Sequence, residues 1–190
     1  ELMRYAGEIA PGGMAAILGL DIPVLEKICV EASEDNEAIQ VANDNCPGQV
    51  VISGAKPALK RALALATEAG ARRALPLAVS IAPHSSLMSA IQAEFDEAVE
   101  NVEIREASLP VVGNVGANPL STIAEIEADL RAQLTSRVRW TESIQYMISQ
   151  GVETFIELGS RNVLTGLLRR IDRSTKGIPL GEAKDFEKLA

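Results

Sequence analysis

The sequence predicts an α/β protein in two parts, and three observations carry that prediction. Between Met14 and Ser80, apolar runs and helical patterns alternate in the order strand, helix, strand, strand, helix, strand. After His84 the order changes to helices separated by short apolar strands. Aromatic residues make up 3% of the chain, so the core must be built from Ala, Val, Ile and Leu, which suit close helix-on-sheet layers.

The chain opens in an amphipathic helical pattern, with Leu2, Met3, Tyr5, Ala6 and Ile9 at helical spacing. It does not begin with Met. An upstream segment is one expectation, and a processed terminus is the alternative. Met14 to Leu20 reads as a buried strand. Asp21 is placed to cap the next helix, and Pro23 suits its first turn, where a missing N–H costs nothing. Val24, Leu25, Ile28, Cys29 and Ala32 then recur on one helical face. Ile39–Asn43 and Gln49–Ser53 read as strands. The run Asn43-Asp-Asn-Cys-Pro-Gly between them has the residues of a turn. Lys56 to Ala69 is a helix, opened by Pro57 and stopped by Gly70. Ala71 to Ser80 is a last strand. This order is the split βαβ, ferredoxin-like arrangement.

In the second part, Ser86 to Asn101 reads as a helix with Leu87, Met88, Ile91, Phe95, Ala98 and Val99 on one face. Pro110–Val115 reads as a strand. Ser121–Leu134 is a helix with Thr122 and Glu125 spaced as a capping box. Trp140–Gln150 is a helix stopped by Gly151. Thr154–Leu158 is a strand and Asn162–Asp172 a closing helix. Strands separated by helices imply parallel crossovers. Two strands do not make a stable parallel sheet covered on both faces, so further strands are expected from elsewhere. The tail after Ser174 is weakly patterned.

Composition excludes several functions. The net charge of −8 argues against sequence-independent nucleic-acid binding, which needs a basic surface. No apolar run reaches the ~20 residues that cross a bilayer, so no membrane partner is expected. Cys29 and Cys46 form no C-x-x-C pair and have no histidine cluster beside them, so no metal site is expected. Reduced cysteines point to a cytoplasmic location.

His84 is the single histidine, in Ser80-Ile-Ala-Pro-His-Ser-Ser-Leu-Met88, between a strand end and a helix start. Strand ends in α/β folds collect catalytic groups. By itself His84 is either a general base or a histidine that merely precedes a helix. Ser85 and Ser86 are adjacent but read as helix caps. The amides of Asn43, Asn45 and Gln49 either hold a polar acyl group or serve a turn. The helix start at Gly159-Ser-Arg-Asn-Val-Leu-Thr-Gly166 has the form of an anion site. It lacks G-x-G-x-x-G and a P-loop lysine, so a nucleotide site is not supported.

Five segments become specific in combination. They are Met14-Ala-Ala-Ile-Leu-Gly-Leu-Asp21, Ala42-Asn-Asp-Asn-Cys-Pro-Gly-Gln-Val-Val-Ile-Ser-Gly54, Gly70-Ala-Arg-Arg-Ala-Leu-Pro-Leu-Ala-Val-Ser80, His84-Ser-Ser-Leu-Met88 and Val163-Leu-Thr-Gly-Leu167. Together, in this order, the series resembles the bacterial malonyl-CoA:acyl-carrier-protein transacylases, which are related to the acyltransferase domains of fatty acid and polyketide synthases. The resemblance implies a ferredoxin-like small domain (residues 13–81) inserted in a partial α/β-hydrolase-like acyltransferase domain (residues 1–12 and 82–190). It implies transfer of a malonyl group from CoA to the phosphopantetheine thiol of acyl carrier protein through a seryl ester, with no cofactor. It implies His84 as general base, oriented by the main-chain carbonyl of Gln133. It further implies Met3, Asn43, Asn45 and Gln49 near the acyl pocket, and Arg72 and Arg73 near a mouth that meets CoA phosphate or the acidic carrier protein.

The sequence departs from the family in one large respect. No G-x-S-x-G nucleophile elbow occurs between Glu1 and Ala190. The family's malonyl-pairing arginine falls just before Leu2-Met3, and its oxyanion-hole glutamine falls further upstream. A missing N-terminal segment with the nucleophilic serine is therefore an expected partner, and the isolated 190 residues are expected to be inactive. Pro83 stands where the family often has Phe or Ser, which puts malonyl specificity in question. The remaining alternatives are a synthase acyltransferase domain and a ferredoxin-like binding module. RNA-binding modules of the latter kind present aromatic platforms, and Met14–Ser80 contains no Phe, Trp or Tyr.

Overall fold

The computed structural model describes residues 1–189. Helix α1 (Leu2–Ile9) leads into strand β1 (Gly13–Leu18), helix α2 (Ile22–Ala32), strands β2 (Ile39–Cys46) and β3 (Gln49–Gly54), helix α3 (Lys56–Glu68) and strand β4 (Arg73–Pro76). The four strands form one antiparallel sheet in the order β2-β3-β1-β4. Side chains alternate across it. Ala15, Ile17, Ile39, Val41, Val50 and Ile52 face α2 and α3, where they close a core with Leu25, Ile28, Ala58 and Ala62. The small alanines let α3 lie close to the strands, as the scarcity of aromatics requires.

Three local expectations change. The Asn-Asp-Asn run is strand, not turn: β2 continues to Cys46, and Pro47-Gly48 alone turn the chain. Register shifts between Val41 and Asn43 and between Asp44 and Cys46 absorb residues that read as a loop. Strand β4 is four residues long and stops at Pro76, which has no N–H to donate to a ladder. Asp21 makes no side-chain cap on α2.

The second part begins where Gly12 N–H meets Ser80 O at 3.3 Å. A Cβ on Gly12 would lie 2.5 Å from Ala82 Cβ and 2.9 Å from Gly54 O, so this crossing of two chain segments tolerates only glycine. A 3-10 turn at Ser86–Ile91 runs into α4 (Gln92–Glu100). One continuous helix was expected here. The tighter turn stacks residues three apart, so Met88 and Ile91 both enter a small core with Ala6 and Leu134. Strands β5 (Val111–Val112) and β6 (Pro119–Leu120) form a two-residue hairpin ladder, so the expected Pro110–Val115 strand joins no parallel sheet. Helix α5 (Ile123–Ala132) starts at the expected capping box of Thr122 and Glu125.

Helix α6 (Trp140–Ser149), strand β7 (Thr154–Leu158), helix α7 (Val163–Ile171) and strand β8 (Lys176–Leu180) follow. Strands β7 and β8 pair in parallel, Ile156 opposite Ile178, with α7 as the crossover. Gly177 and Pro179 break the apolar pattern of β8, so periodicity does not mark it as a strand. Its Ile178 and Leu180 are nonetheless buried with Leu167 and Leu168.

The sheet face away from α2 and α3 packs against this second part. Met14, Ala42 and Val51 are buried there. Strand β2 is an edge strand, and Val138 fills its outer edge: Asp44 N–H donates to Val138 O at 2.9 Å, and Val138 N–H to Ala42 O at 2.8 Å. The Thr141 hydroxyl donates to Asp44 Oδ1 at 2.7 Å. Asp44 is 6% exposed. Burial outweighs the Thr141 hydroxyl and the nearby Arg137 and holds the Asp44 carboxyl above the usual aspartate range. A group raised in the native state favours folding when protonated. Its contribution is present below the ordinary aspartate value and is lost as pH rises through the raised native value. Asp44→Asn keeps an acceptor for Thr141 and buries no charge. The variant should have a higher urea midpoint than the wild type near pH 7, and the gap should close as pH approaches about 4.

Candidate active site

The site is built on a loop whose backbone is held in an uncommon conformation. His84 has φ +59°, in the left-handed region that non-glycine residues enter at a cost of order 1 kcal/mol or more. Both of its peptide groups are pinned. Its N–H donates to Leu134 O at 2.9 Å. Its C=O accepts from Gln40 Nε2 at 3.1 Å. The Ser85 hydroxyl, fully buried, donates to Ala82 O at 2.6 Å, so it braces the loop from within rather than capping the turn that follows.

The left-handed turn aims the imidazole at the end of α5. His84 Nδ1 lies 2.8 Å from Gln133 O. A carbonyl oxygen can only accept, so Nδ1 carries a proton, and in the neutral ring the lone pair lies on Nε2. Gln133 is the C-terminal cap residue of α5, where helix carbonyls lack partners within the helix. That free acceptor is what the imidazole uses. Successive residues Gln133 and Leu134 thus hold the ring and the backbone of one histidine. Nε2 has no hydrogen-bond partner among the described residues, so it is available as a proton acceptor.

None of the other expected residues forms a hydrogen bond to this pair among the described residues. Asn43 and Asn45 lie half-buried on β2, flanking buried Asp44, and Asn43 forms a parallel bridge with Val138. Gln49 opens β3 at the far end of the hairpin, where its Oε1 accepts from Arg170 Nη1 of α7. Arg170 Nη2 also donates to Pro47 O at 3.2 Å. Met3 is 42% exposed on α1. Arg72 and Arg73 are exposed and form no ion pair among the described residues. The register puts Arg73 opposite Leu18, which is opposite Gln49, so these residues share one end of the sheet. Gln40, the residue bonded to the His84 loop, pairs with Ser53 near the other end, about 13 Å along β3 at strand spacing.

The helix start at Asn162–Gly166 is not an empty anion site. Glu157 at the end of β7 accepts from Leu164 N–H at 2.9 Å and Thr165 N–H at 2.7 Å. Partial burial pushes this carboxyl up, but the amide donors outweigh it and hold it below the usual range. The protein supplies its own anion to that helix. Neither cysteine offers a nucleophile: burial, then Glu26, pushes the Cys29 thiol up to about 12, and burial also raises Cys46. No group of residues suited to a metal ion occurs among the described residues. No helix among them is long and apolar enough to cross a membrane.

One residue of the site escaped sequence reasoning. Gln40 looked like an ordinary strand position. The available signal was a long amide in the apolar run Ile39-Gln-Val-Ala42, on the side of β2 that faces away from its helices.

The sequence profile of the acyl transferase domain family matches residues 2–183. The malonyl CoA-acyl carrier protein transacylase of Bacillus subtilis (strain 168) is 41% identical over 187 residues, covering 98% of this chain and 59% of that protein. An acyl carrier protein S-malonyltransferase from Vibrio cholerae O1 superposes with a TM-score of 0.95 at 39% identity, covering 100% of this chain and 61% of that one. A malonyl-transacylase solved in complex with a type II PKS acyl-carrier protein superposes with a TM-score of 0.94 at 35% identity, covering 98% of this chain and 60% of that one. The chain thus spans about three fifths of the length of these relatives.

The geometry at His84 makes a spectroscopic prediction. In its neutral form the imidazole should populate one tautomer, protonated at Nδ1. Its nitrogen resonances should show a protonated Nδ1 and a bare Nε2, in long-range proton–nitrogen correlation spectra. The opposite tautomer dominates in free histidine, so its appearance here would contradict the bond to Gln133.

Proposed function

This chain belongs to the acyl transferase domain family, and on that premise we propose that it supplies the general-base half of a malonyl-CoA:acyl-carrier-protein transacylase. The observation that carries the reading is the His84 Nδ1 to Gln133 O hydrogen bond of 2.8 Å, which leaves Nε2 as the basic nitrogen. A serine hydroxyl from outside these 190 residues attacks the thioester carbonyl of malonyl-CoA as His84 Nε2 takes its proton. The tetrahedral intermediate collapses, the C–S bond breaks, and the imidazolium returns the proton to the CoA sulfur. The phosphopantetheine thiol of acyl carrier protein then gives its proton to Nε2 and attacks the seryl ester. The serine oxygen leaves and is reprotonated. Two acyl transfers thus use one base twice, with no net proton change, no metal and no cofactor.

The finer assignments belong to the same reading. Residues 13–81 form a ferredoxin-like small domain inserted between residues 1–12 and 82–190 of an α/β-hydrolase-like acyltransferase domain. The antiparallel order β2-β3-β1-β4, with both helices on one face, supports it. Met3, Asn43, Asn45 and Gln49 border the acyl pocket. Arg72 and Arg73, exposed and unpaired on an acidic chain, meet the phosphates of CoA or the acidic carrier protein at its mouth. The location is cytoplasmic, in keeping with two free cysteines.

Two outcomes test the proposal. In the full-length natural protein, His84→Ala should lower malonyl transfer from malonyl-CoA to holo-acyl carrier protein by about 10²–10⁴, in a radiolabel transfer assay. A loss of a few-fold or less would sink the role of base. The 190 residues alone should transfer no malonyl group above the no-enzyme rate, since the sequence contains no G-x-S-x-G elbow. Turnover by this chain would show that the nucleophile lies within it.

A further inference from the structure

The His84–Gln133 contact joins two backbone segments that are far apart in sequence, and one side chain from a third element bonds to both. Gln40 leaves β2 on the face turned away from α2 and α3. Its Nε2 donates to His84 O at 3.1 Å and to Thr135 O at 3.0 Å. Its Oε1 accepts from Ser86 N–H at 3.1 Å. All three partners are main-chain groups. Two belong to the segment that carries the imidazole, and the third lies two residues beyond the carbonyl that orients it. Every bonding group of the amide terminus is engaged.

We propose that Gln40 is the positioning residue of the site: its carboxamide clamps residues 84–86 to residue 135 and so keeps the His84 imidazole on the Gln133 carbonyl. This rests on the reading of His84 as the general base.

Three physical points support the clamp. First, His84 sits at φ +59°, a conformation that relaxes unless its surroundings fix it. Leu134 O fixes the peptide before it, and Gln40 fixes the peptide after it. Second, Ser86 opens the 3-10 turn, and its N–H is one of the donors a helix start leaves without a partner. Gln40 Oε1 satisfies it, so the turn begins at a defined place. Third, the carboxamide offers a donor and an acceptor side by side. A carboxylate at the same position would present oxygen to the carbonyls of His84 and Thr135, which also offer only oxygen. Gln40 acts from the sheet, so the position of the base depends on how residues 13–81 seat against the remainder of the chain.

The test compares wild type, Gln40→Met, Gln40→Glu and His84→Gln in the full-length natural protein. Gln40→Met keeps length and shape but removes all three hydrogen bonds. Gln40→Glu keeps the acceptor for Ser86 and reverses the two contacts to carbonyls, and it gives a second result if Gln40→Met does not fold. The imidazole nitrogen resonances of His84, assigned by their loss in His84→Gln, report the tautomer. The expected result is a mixture of tautomers in both Gln40 variants, with the two nitrogen resonances drawn together. Malonyl transfer should fall about tenfold in kcat, with KM for malonyl-CoA within about twofold of wild type. A single Nδ1-protonated tautomer in a folded Gln40 variant would overturn the clamp. If His84→Gln transfers malonyl as fast as wild type, the reading of His84 as base fails. The tautomer comparison still decides whether Gln40 positions the ring.

Discussion

A neutral main-chain carbonyl, not a carboxylate, orients the imidazole of His84. A carbonyl is the weaker partner, since hydrogen bonds to charged groups are shorter and about twice as strong. It is also fixed to the backbone, so it cannot follow the ring if the ring moves. The contact at 2.8 Å therefore depends on the placement of two chain segments, residues 82–86 and 130–135. Much of the fold around it serves that placement. The end of α5 supplies a carbonyl with no partner of its own. Leu134 O supplies a second acceptor for the His84 backbone. Met88, Ile91, Leu134 and Ala6 close a small core directly beneath both segments.

The four-stranded sheet contributes to the same placement from the side. Its helix-covered face is a self-sufficient core of alanine and branched residues. Its other face is not self-sufficient. Gln40, Ala42, Asn43 and Asp44 find their partners in Val138, Thr141 and the His84 loop, all from the second part of the chain. At the opposite end, Arg170 reaches from α7 to Gln49 and to the Pro47 carbonyl. The seam is thus sewn mainly by hydrogen bonds to backbone groups. Such bonds fix register more than they add stability, because each exchanges a bond to water for a bond within the protein. Burying the Asp44 carboxyl at the seam works against stability at neutral pH, and Thr141 offsets it only in part.

Much of this was legible in the sequence, for identifiable reasons. Helices α2, α3, α5 and α6 announce themselves by apolar spacing and by their boundary residues, Pro23, Pro57 and Gly70 among them. The Thr122–Glu125 box worked as its spacing suggests. Legibility failed where long-range pairing overrode local chemistry. Asn43, Asp44 and Asn45 have the composition of a turn, yet Val138 on one side and β3 on the other draw them into a strand. Lys176–Leu180 carries Gly177 and Pro179, yet β7 gives it a parallel partner. The helix start at Asn162 has the form of an open anion site, yet Glu157 from β7 occupies it.

The sequence by itself determined the order of the elements from β1 to β4, the apolar faces of α2 and α3, and the series of motifs that marks the family, whose resemblance implies roles for His84 and Gln133. Periodicity and turn chemistry are local properties, and a motif is a string, so both survive without coordinates. Only the tertiary structure decided that His84 takes a left-handed backbone, that Nδ1 rather than Nε2 is the ring nitrogen that meets Gln133 O, and that Gln40, 44 residues away, bonds to the loop. Those facts rest on main-chain carbonyls and amides. Every residue offers the same ones, so no residue type marks in advance which of them will be used.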